Sequence, residues 1–346
     1  MSYTGNPWYR PLESYDENYR LGPGASLLEA TSDKKGGLPF GIPAGPLLNG
    51  AYVIAALNAG FDIPVYKTVR TRAYGCHPWP NVLPVDVDGD LSAEGETKKL
   101  VAKKEYTEPL SITNSFGVPS QPPEVWQPDM ERAAKNAGEG QTVIGSFQGT
   151  KWEGASSDEY KNDWVLGARL VKETGAPIVE ANLSCPNEGK AHLLCYDVPR
   201  AVEIVDAIKN EIGDTPLKVK IGYFSESALR EFVSAVGPLV QGISAINTIP
   251  AEVVSEKGEQ ALPGNGRLVS GICGASIRHA GLSMTERLNG LRAELNLNFK
   301  ITGVGGVTKP EDYAIYRKQG ADIVMSATGS MWNPKLAQEI RALGIV

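Results

Sequence analysis

Short apolar runs alternate with stretches of helical periodicity along most of the chain. Eight of these runs are rich in Val, Ile, Leu or Ala and end in glycine or polar residues, which predicts strands. Between them, apolar residues recur at helical spacing, as at Val202, Val205 and Ile208, which predicts helices. The predicted strands are residues 38–44, 64–69, 141–147, a run that begins at Ile178, 217–221, 242–247, 299–302 and 322–326.

The order of these elements indicates the fold class. Strict alternation of strands and helices is typical of α/β proteins, in which right-handed crossovers join parallel strands. An open doubly wound sheet and a closed (β/α)8 barrel both satisfy that pattern. Eight strand–helix units in succession favour closure, so we predict a (β/α)8 TIM barrel.

Two segments depart from the alternation. Residues 1–37 mix Pro, Gly, Tyr and both charge signs without regular periodicity, which predicts an irregular N-terminal arm. Residues 70–123 form a proline-containing insertion after the second strand, and so long an excursion is usually functional or part of an interface. We therefore predict a single barrel domain over residues 38–346 that carries this insertion.

Both segments contain local features of interest. Within the insertion, Asp88-Gly89 lies between alternating apolar and acidic residues, which predicts a β-hairpin. The insertion then ends in the sequence Asn-Ser-Phe-Gly-Val-Pro at residues 114–119. Four aromatic residues of the arm could pack on the barrel or on a second subunit, namely Trp8, Tyr9, Tyr15 and Tyr19.

The composition is that of an ordinary soluble globular protein. Hydrophobic residues make up 42% and charged residues 21% of the 346 positions. The net charge of −6 argues against a basic surface that attracts nucleic acid or anionic lipid. Binding of a phosphate group would therefore depend on local geometry.

Cysteines, histidines and apolar runs indicate the compartment. The four cysteines form no Cys-x-x-Cys pair and the three histidines show no metal-ligand spacing, so we expect no metal site. Few, scattered cysteines fit a reducing cytosol. No apolar run approaches the roughly 18 residues of a membrane span, and residues 1–20 are too polar for a signal peptide. We expect a cytoplasmic protein that binds neither nucleic acid nor a membrane.

Polar residues and glycines recur at the ends of the predicted strands. In (β/α)8 barrels the active site forms at the carboxyl ends of the strands. One polar residue there would carry little weight, but recurrence on nearly every strand indicates a site. These residues are Gly45, Lys67, Asn182 with Cys185, Lys220, Asn247 with Thr248, Gly305 with Gly306, and Thr328.

The fourth predicted strand leads into a thiol. Cys185-Pro186-Asn187 follows the run that begins at Ile178, and the proline ends the strand because it has no N–H for the ladder. A buried structural cysteine is the alternative. The position of Cys185 beside a proline, in a loop, favours a chemical role.

A glycine-rich sequence follows the seventh predicted strand. Residues 303–306, Gly-Val-Gly-Gly, precede a predicted helix and could form a backbone-amide nest for a phosphate or only a tight turn. With Ala327 and Thr328 after the eighth strand, this is the usual phosphate position of such barrels. We therefore predict phosphate binding there.

Two lysines lie at predicted strand ends. A lysine at the mouth of a barrel needs an anionic partner, because burying an unpaired ammonium is costly. Extension to solvent is the alternative, and it is more plausible for Lys67 than for Lys220, which lies between Val219 and Ile221.

Several of these segments resemble the class 1 dihydroorotate dehydrogenases, which are FMN enzymes of pyrimidine synthesis. The resemblance includes Asn-Leu-Ser-Cys-Pro-Asn at residues 182–187 and covers most of the chain from about residue 38 to 340. It implies FMN-dependent oxidation of dihydroorotate to orotate in de novo UMP synthesis. The other matching segments are Ala44-Gly45, Lys67-Thr68, residues 114–119, Val219-Lys220, Asn247-Thr248, Gly274 and Gly305-Gly306.

The resemblance also implies a role for each matching residue. Cys185 would be the catalytic base, Lys67 would lie between flavin and substrate, and Lys220 would bind the isoalloxazine. The implied substrate-binding residues are Lys67, Asn114, Gly117, Val118, Asn182, Asn187, Asn247 and Thr248. The implied FMN-binding residues are Ala44, Gly45, Lys67, Thr68, Asn182, Lys220, Gly274, Gly305, Gly306, Ala327 and Thr328.

The residue types suit this chemistry. Forming a ring C=C beside a carbonyl removes an α-proton and a hydride; FMN can accept the hydride at N5, and the protein must supply the base. A thiol with a pKa near 8.5 is an effective base when partly ionised, and no histidine occurs in the recurring motifs, which leaves Cys185. Asparagine suits a ring with alternating donors and acceptors. Lys220 near flavin N1 would stabilise the anionic reduced cofactor.

Some features leave alternatives open. Ala327 stands where the family usually has glycine, a departure at the implied phosphate contact. The arm and the insertion are also atypical, so the electron acceptor could be fumarate, NAD through a separate subunit, or another oxidant. A dihydropyrimidine dehydrogenase-like enzyme is the second candidate, but its motif usually ends in Cys-Pro-His, whereas Asn187 stands here. A non-catalytic barrel that binds a phosphorylated ligand ranks third. We expect a homodimer, with a separate electron-transfer subunit as a further candidate partner.

Overall fold

A computed structural model describes residues 7–33, 35–184 and 193–344. Its strands are β1 (Phe40–Gly41), β2 (Val65–Val69), β3 (Val82–Pro84), β4 (Lys99–Val101), β5 (Ser111–Asn114), β6 (Ile144–Phe147), β7 (Ile178–Asn182), β8 (Leu217–Lys220), β9 (Gly242–Ala245), β10 (Ile249–Val254), β11 (Val269–Gly274), β12 (Lys300–Val304) and β13 (Ile323–Met325). Its α-helices are α1 (Tyr15–Leu21), α2 (Ala25–Leu28), α3 (Gly50–Asn58), α4 (Pro123–Lys135), α5 (Ser157–Glu173), α6 (Val198–Ile212), α7 (Glu226–Val236), α8 (Arg278–Glu294), α9 (Pro310–Lys318), α10 (Thr328–Trp332) and α11 (Leu336–Ala342).

Eight strands form the central sheet in the order β1-β13-β12-β9-β8-β7-β6-β2, and every neighbouring pair is parallel. The two ends of that order also meet. The Val65 N–H donates to the Ile42 carbonyl at 2.8 Å, and the Ile63 N–H donates to the Phe40 carbonyl at 3.2 Å. The sheet is therefore a nearly closed barrel, and the predicted (β/α)8 fold is confirmed.

Strand register determines which side chains share the barrel interior. Asn182 of β7 pairs with Lys220 of β8, and Glu180 pairs with Lys218 two residues earlier along both strands. Because residues two apart on a strand point to the same face, all four side chains lie on one face of the sheet. The Glu180 carboxylate and the Lys218 ammonium are 3.1 Å apart, with side chains only 1% and 5% exposed. A buried ion pair thus lies directly beneath the Asn182–Lys220 level.

The insertion contributes to a second sheet of five strands, in the order β3-β5-β11-β10-β4. The glycine-rich stretch around 269–274 contributes β11, which pairs antiparallel with β5 of the insertion. The hairpin predicted around Asp88-Gly89 is wrong, because its flanks pair elsewhere. Val85 bridges to Ala102, and the Leu91 N–H donates to the Ser276 carbonyl at 2.7 Å. Long-range pairing has overridden the local turn signal.

The arm, predicted to be irregular, contains the short helices α1 and α2. A capping box begins α1: the Ser14 side chain accepts from the Glu17 N–H, and the Glu17 carboxylate accepts from the Ser14 N–H. Helices this short depend on packing rather than periodicity, which is why their pattern is weak in the sequence. The arm packs on the barrel, where the buried Trp8 donates from Nε1 to the Ser330 carbonyl at 2.7 Å.

None of the helices in the described part of the chain combines the length and the apolar character that crossing a membrane requires.

Candidate active site

A cavity of about 270 Å³ opens at the carboxyl ends of the barrel strands, beneath the second sheet and the arm. Its position is the one in which such barrels bind ligands. It brings together most of the residues that the sequence marks as site candidates. These are Ala44, Gly45, Lys67, Thr68, Asn114, Gly117, Val118, Asn182, Lys220, Asn247, Thr248, Ala327 and Thr328.

A smaller pocket adjoins this cavity and shares Asn247, Ala327 and Thr328 with it. Three further candidates, Gly274, Gly305 and Gly306, line this second pocket. All three glycines have positive φ angles, of 100°, 131° and 67°. Residues with side chains disfavour such angles, and at these three glycines only main chain can face the pocket. A wall of this kind suits a compact anionic group such as a phosphate.

Two of the candidate residues, Cys185 and Asn187, lie outside the described residues. Their roles stay predictions. The chain leading into that segment is well held, because Ser184 donates from Oγ to Asn182 Oδ1 at 2.8 Å and accepts from Asn247 Nδ2 at 2.8 Å. Asn182 in turn donates from Nδ2 to Gln148 Oε1 at 2.7 Å. This chain of hydrogen bonds fixes two of the candidate amides in the cavity wall.

A third amide reaches the cavity from the second sheet. Asn114 ends β5 and donates from Nδ2 to the Cys273 sulfur at 3.3 Å. Burial raises the pKa of the Cys273 thiol, while hydrogen bonds with Thr328 and Asn114 oppose this shift in part. Cys273 therefore lies in the cavity wall mainly as a neutral thiol. The barrel and the second sheet each supply amides to one cavity.

Both lysines are buried, each with only 7% of its surface exposed. The alternative that Lys67 extends to solvent is therefore wrong. Burial, reinforced by Arg70 and Lys220, lowers the pKa of Lys67 to about 7. Burial also lowers the pKa of Lys220, with a further contribution from Lys218 and an opposing one from the Glu180 carboxylate. In the described part of the chain neither lysine forms an ion pair, so the cavity is prepared for an anion.

The family model of dihydroorotate dehydrogenase matches residues 99–343. The chain belongs to the dihydroorotate dehydrogenase family. Members of this family are flavoenzymes. The chain is also 38% identical over 313 residues to a dihydroorotate dehydrogenase of Dictyostelium discoideum, an alignment that covers 87% of this chain and 84% of the relative.

Two other relatives align with about half of this chain. The NAD-dependent dihydropyrimidine dehydrogenase subunit PreA of Escherichia coli (strain K12) is 31% identical over 185 residues, 50% of this chain and 43% of the relative. The catalytic subunit of dihydroorotate dehydrogenase B (NAD(+)) of Petrotoga mobilis is 25% identical over 187 residues, 54% of this chain and 59% of the relative. This chain spans less than two thirds of the length of either relative.

The structure also places at the site three residues that the sequence did not mark as candidates. Tyr9 of the arm lines the cavity and contacts the Phe116 ring edge-on, with centroids 6.1 Å apart. Cys273 lines both pockets. Arg70 lies behind the wall and donates to the carbonyls of Gly117 and Val118. None of the three carries a local signal, because each reaches the site only through long-range packing.

Proposed function

We propose that this protein oxidises dihydroorotate to orotate with FMN as its cofactor, in the synthesis of pyrimidine nucleotides. The observation that carries the proposal is a single cavity lined by three asparagines and two buried lysines, in a chain of the dihydroorotate dehydrogenase family. The name of the Dictyostelium relative, which aligns along most of both chains, supports the same substrate.

The chemistry of the cavity wall supports a pyrimidine substrate that carries a carboxylate. The side chains of Asn114, Asn182 and Asn247 offer both donors and acceptors, as the edge of a dihydropyrimidine ring requires. Lys67 lines the same space and supplies a cation at and below a pH of about 7. An anion bound beside it would favour the ammonium form, which raises its pKa towards the ordinary lysine value. The residues of this chain thus bind and orient the ring and balance its charge.

FMN fits the remaining features of the site. Bound FMN supplies the acceptor for a hydride. Gly274, Gly305 and Gly306 would hold its phosphate, together with Thr328, because they expose main chain in the smaller pocket. Lys220 would hold the ring system and balance the charge acquired on reduction, since its ammonium lines the larger cavity. Two adjoining pockets support a proposal in which one mononucleotide binds beside one substrate.

Proton removal is assigned to Cys185 on the sequence alone. The described thiol is a poorer candidate, because burial makes Cys273 a weaker acid than an ordinary thiol. The hydrogen bonds of Ser184 to Asn182 and from Asn247 hold the residue that precedes Cys185 in the chain. A base on this segment would act on a substrate bound by the same asparagines.

A dihydropyrimidine dehydrogenase activity is the second candidate, supported by the similarity to the Escherichia coli subunit. Dihydrouracil lacks the carboxylate of dihydroorotate. A cavity that buries two lysines without ion-pair partners among the described residues favours the substrate that carries the charge. Asn187, where the dihydropyrimidine enzymes usually have histidine, points the same way.

The first prediction tests this assignment. The protein should purify yellow with one FMN per chain, and dihydroorotate should bleach the flavin under anaerobic conditions while dihydrouracil at the same concentration should not. Cofactor identity is measured by chromatography after denaturation, and bleaching by stopped-flow absorbance. Recovery of FAD would contradict the cofactor assignment. A colourless protein would favour the non-catalytic barrel, and bleaching by dihydrouracil alone would favour the second candidate.

The second prediction concerns the phosphate wall. Gly306→Val should lower FMN content to well below one per chain, because residue 306 has a φ of 67° and a Cβ there would lie 2.6 Å from the Arg278 Cα. Gly290→Val is the matched control, since Gly290 lies in α8 and has no atom within 4 Å of an added Cβ. Circular dichroism checks that both variants fold. Full FMN occupancy in Gly306→Val would remove Gly306 from the phosphate site.

We also propose a cytoplasmic homodimer.

The acceptor that reoxidises the reduced flavin is a separate question, because the Petrotoga relative is named as the catalytic subunit of an NAD(+) enzyme. Steady-state assays with fumarate, NAD and a soluble quinone, with and without candidate partner subunits, separate the options.

A further inference from the structure

The cavity wall contains a strained backbone segment. Gly117 and the following Val118 both have positive φ angles, of 75° and 52°. Glycine adopts this region freely, but a β-branched residue such as valine is disfavoured there by contacts of its own side chain with the backbone. Such a conformation persists only where surrounding groups hold it. Both residues line the larger cavity, so their strained conformation shapes the candidate substrate site.

Arg70 holds this segment through its carbonyl groups. Its Nε donates to the Val118 carbonyl at 2.8 Å, and its Nη2 donates to the Gly117 carbonyl at 3.1 Å. The third nitrogen, Nη1, donates to Thr150 Oγ1 at 2.9 Å. The planar guanidinium thus spans two consecutive carbonyls, a geometry that the single ammonium of a lysine cannot reproduce.

The arginine is itself fixed in place. Arg70 is only 7% exposed, and its guanidinium carbon lies 3.9 Å from the centroid of the Tyr74 ring. Its backbone N–H donates to Ser120 Oγ at 3.0 Å, and its carbonyl accepts from Trp126 Nε1 at 3.0 Å. Arg70 directly follows β2, the strand that carries Lys67. The barrel wall therefore positions the guanidinium, and the guanidinium in turn positions the insertion.

The other side of the segment is closed as well. A Cβ on Gly117 would lie 2.5 Å from the His77 Nε2, so the imidazole packs against this glycine. Arg70 is not among the residues that line the cavity, whereas Gly117 and Val118 are. Its effect on a ligand is therefore exerted through the backbone that it holds.

We propose that Arg70 is a positioning residue that holds Gly117 and Val118 in the left-handed conformation needed to form the substrate wall. The inference rests on the proposed function only in naming orotate as the ligand. Direct attraction between the Arg70 charge and a bound anion is the competing explanation. The two differ in what a lysine at position 70 should do: lysine keeps the charge but not the paired hydrogen bonds.

The third prediction separates them by calorimetric titration of orotate into FMN-loaded protein. Arg70→Lys should raise the orotate Kd about 10- to 100-fold, the effect of losing one charged hydrogen bond, with FMN content unchanged. Arg72→Lys, a nearby half-exposed arginine that contacts Asp163 and Trp152, should change it less than about 3-fold. An Arg70→Lys Kd equal to that of wild type would overturn the proposal and support direct attraction.

A second substitution tests the conformational cause. Val118→Gly removes the steric penalty of a positive φ. The double variant Arg70→Lys, Val118→Gly should therefore recover at least half of the increase in log Kd for orotate that Arg70→Lys causes. If the change in orotate Kd in the double variant equals the product of the changes in the two single variants, the proposal is overturned. Such non-additive recovery is not expected if Arg70 only supports the fold, because Val118→Gly would then restore nothing.

A measurement without ligand keeps the inference separate from the proposed function. Hydrogen exchange of peptides covering residues 115–120 should be faster in Arg70→Lys than in wild type, and unchanged in Arg72→Lys. Wild-type protein that fails to bind orotate would count against the proposed function alone, because the exchange data would still report on Arg70. Equal exchange in all three proteins would overturn the positioning role.

Discussion

Replacing Cys185 with alanine should slow the reduction of bound flavin by dihydroorotate roughly 10²–10⁴-fold, the usual contribution of a positioned base. The α-proton must leave as the hydride does, and alanine has no group to accept it. Orotate should still bind, because recognition is assigned to Asn114, Asn182 and Asn247, which line the cavity independently of the thiol. Pre-steady-state bleaching isolates this step from reoxidation, whatever the acceptor.

The pH dependence identifies the group. If the Cys185 thiolate is the base, the bleaching rate of the wild type should rise with pH through one ionisation near the thiol range. Cys185→Ser should keep some activity but require higher pH, since a hydroxyl is a far weaker acid. Bleaching of Cys185→Ala at the wild-type rate across pH would show that another group is the base.

Cys273 offers a matched control, because it is a second thiol and lines the proposed substrate cavity. It lines the cavity and accepts a hydrogen bond from Asn114, but burial raises its pKa and so reduces its thiolate fraction near neutrality. Cys273→Ala should therefore change the bleaching rate only a few-fold. A loss of 10²-fold or more in this variant, with Cys185→Ala unaffected, would transfer the base to Cys273.

The barrel could be predicted from the sequence because its signal is local and repeated. Each central strand is a short apolar run, and the rule that parallel strands present their carboxyl ends together then brings distant residues to one place. Lys67, Asn182 and Lys220 are far apart in the chain, yet all three line one cavity. Their shared position at strand ends was sufficient to group them.

Features set by long-range contacts could not be predicted in the same way. Asp88-Gly89 has the composition of a hairpin turn, but its flanks pair with Ala102 and Ser276 instead. Tyr9 reaches the cavity only because the arm folds back over the barrel, where Trp8 binds the Ser330 carbonyl. Arg70 follows a strand and has no local signal that sets it apart. Its proposed role depends on a hydrogen bond to the Gly117 carbonyl, 47 residues away in the chain.

In Lys220→Ala, dihydroorotate should reduce the bound flavin about 10²–10³-fold more slowly than in wild type, although FMN stays bound. A loss of this size is typical when one preorganised electrostatic group is removed. Lys220 lines the cavity and donates from Nζ to the Ala44 carbonyl at 3.3 Å, which leaves its charge available to a ligand. Burial and Lys218 lower its pKa, and Glu180 opposes them. A negative charge that develops in the cavity would further favour the ammonium, so charge and cation stabilise each other.

The reduction potential separates this role from packing. Without the cation, the midpoint potential of the bound flavin should become more negative, by about 30 mV for each 1.4 kcal/mol of lost stabilisation in a two-electron couple. Lys220→Met is the control for volume and should behave like alanine, whereas Lys220→Arg should keep most of the potential because it keeps the charge. Equilibration with a redox dye of known potential measures each value. Unchanged potential and unchanged bleaching in both Lys220→Ala and Lys220→Met would mean that Lys220 only fills space.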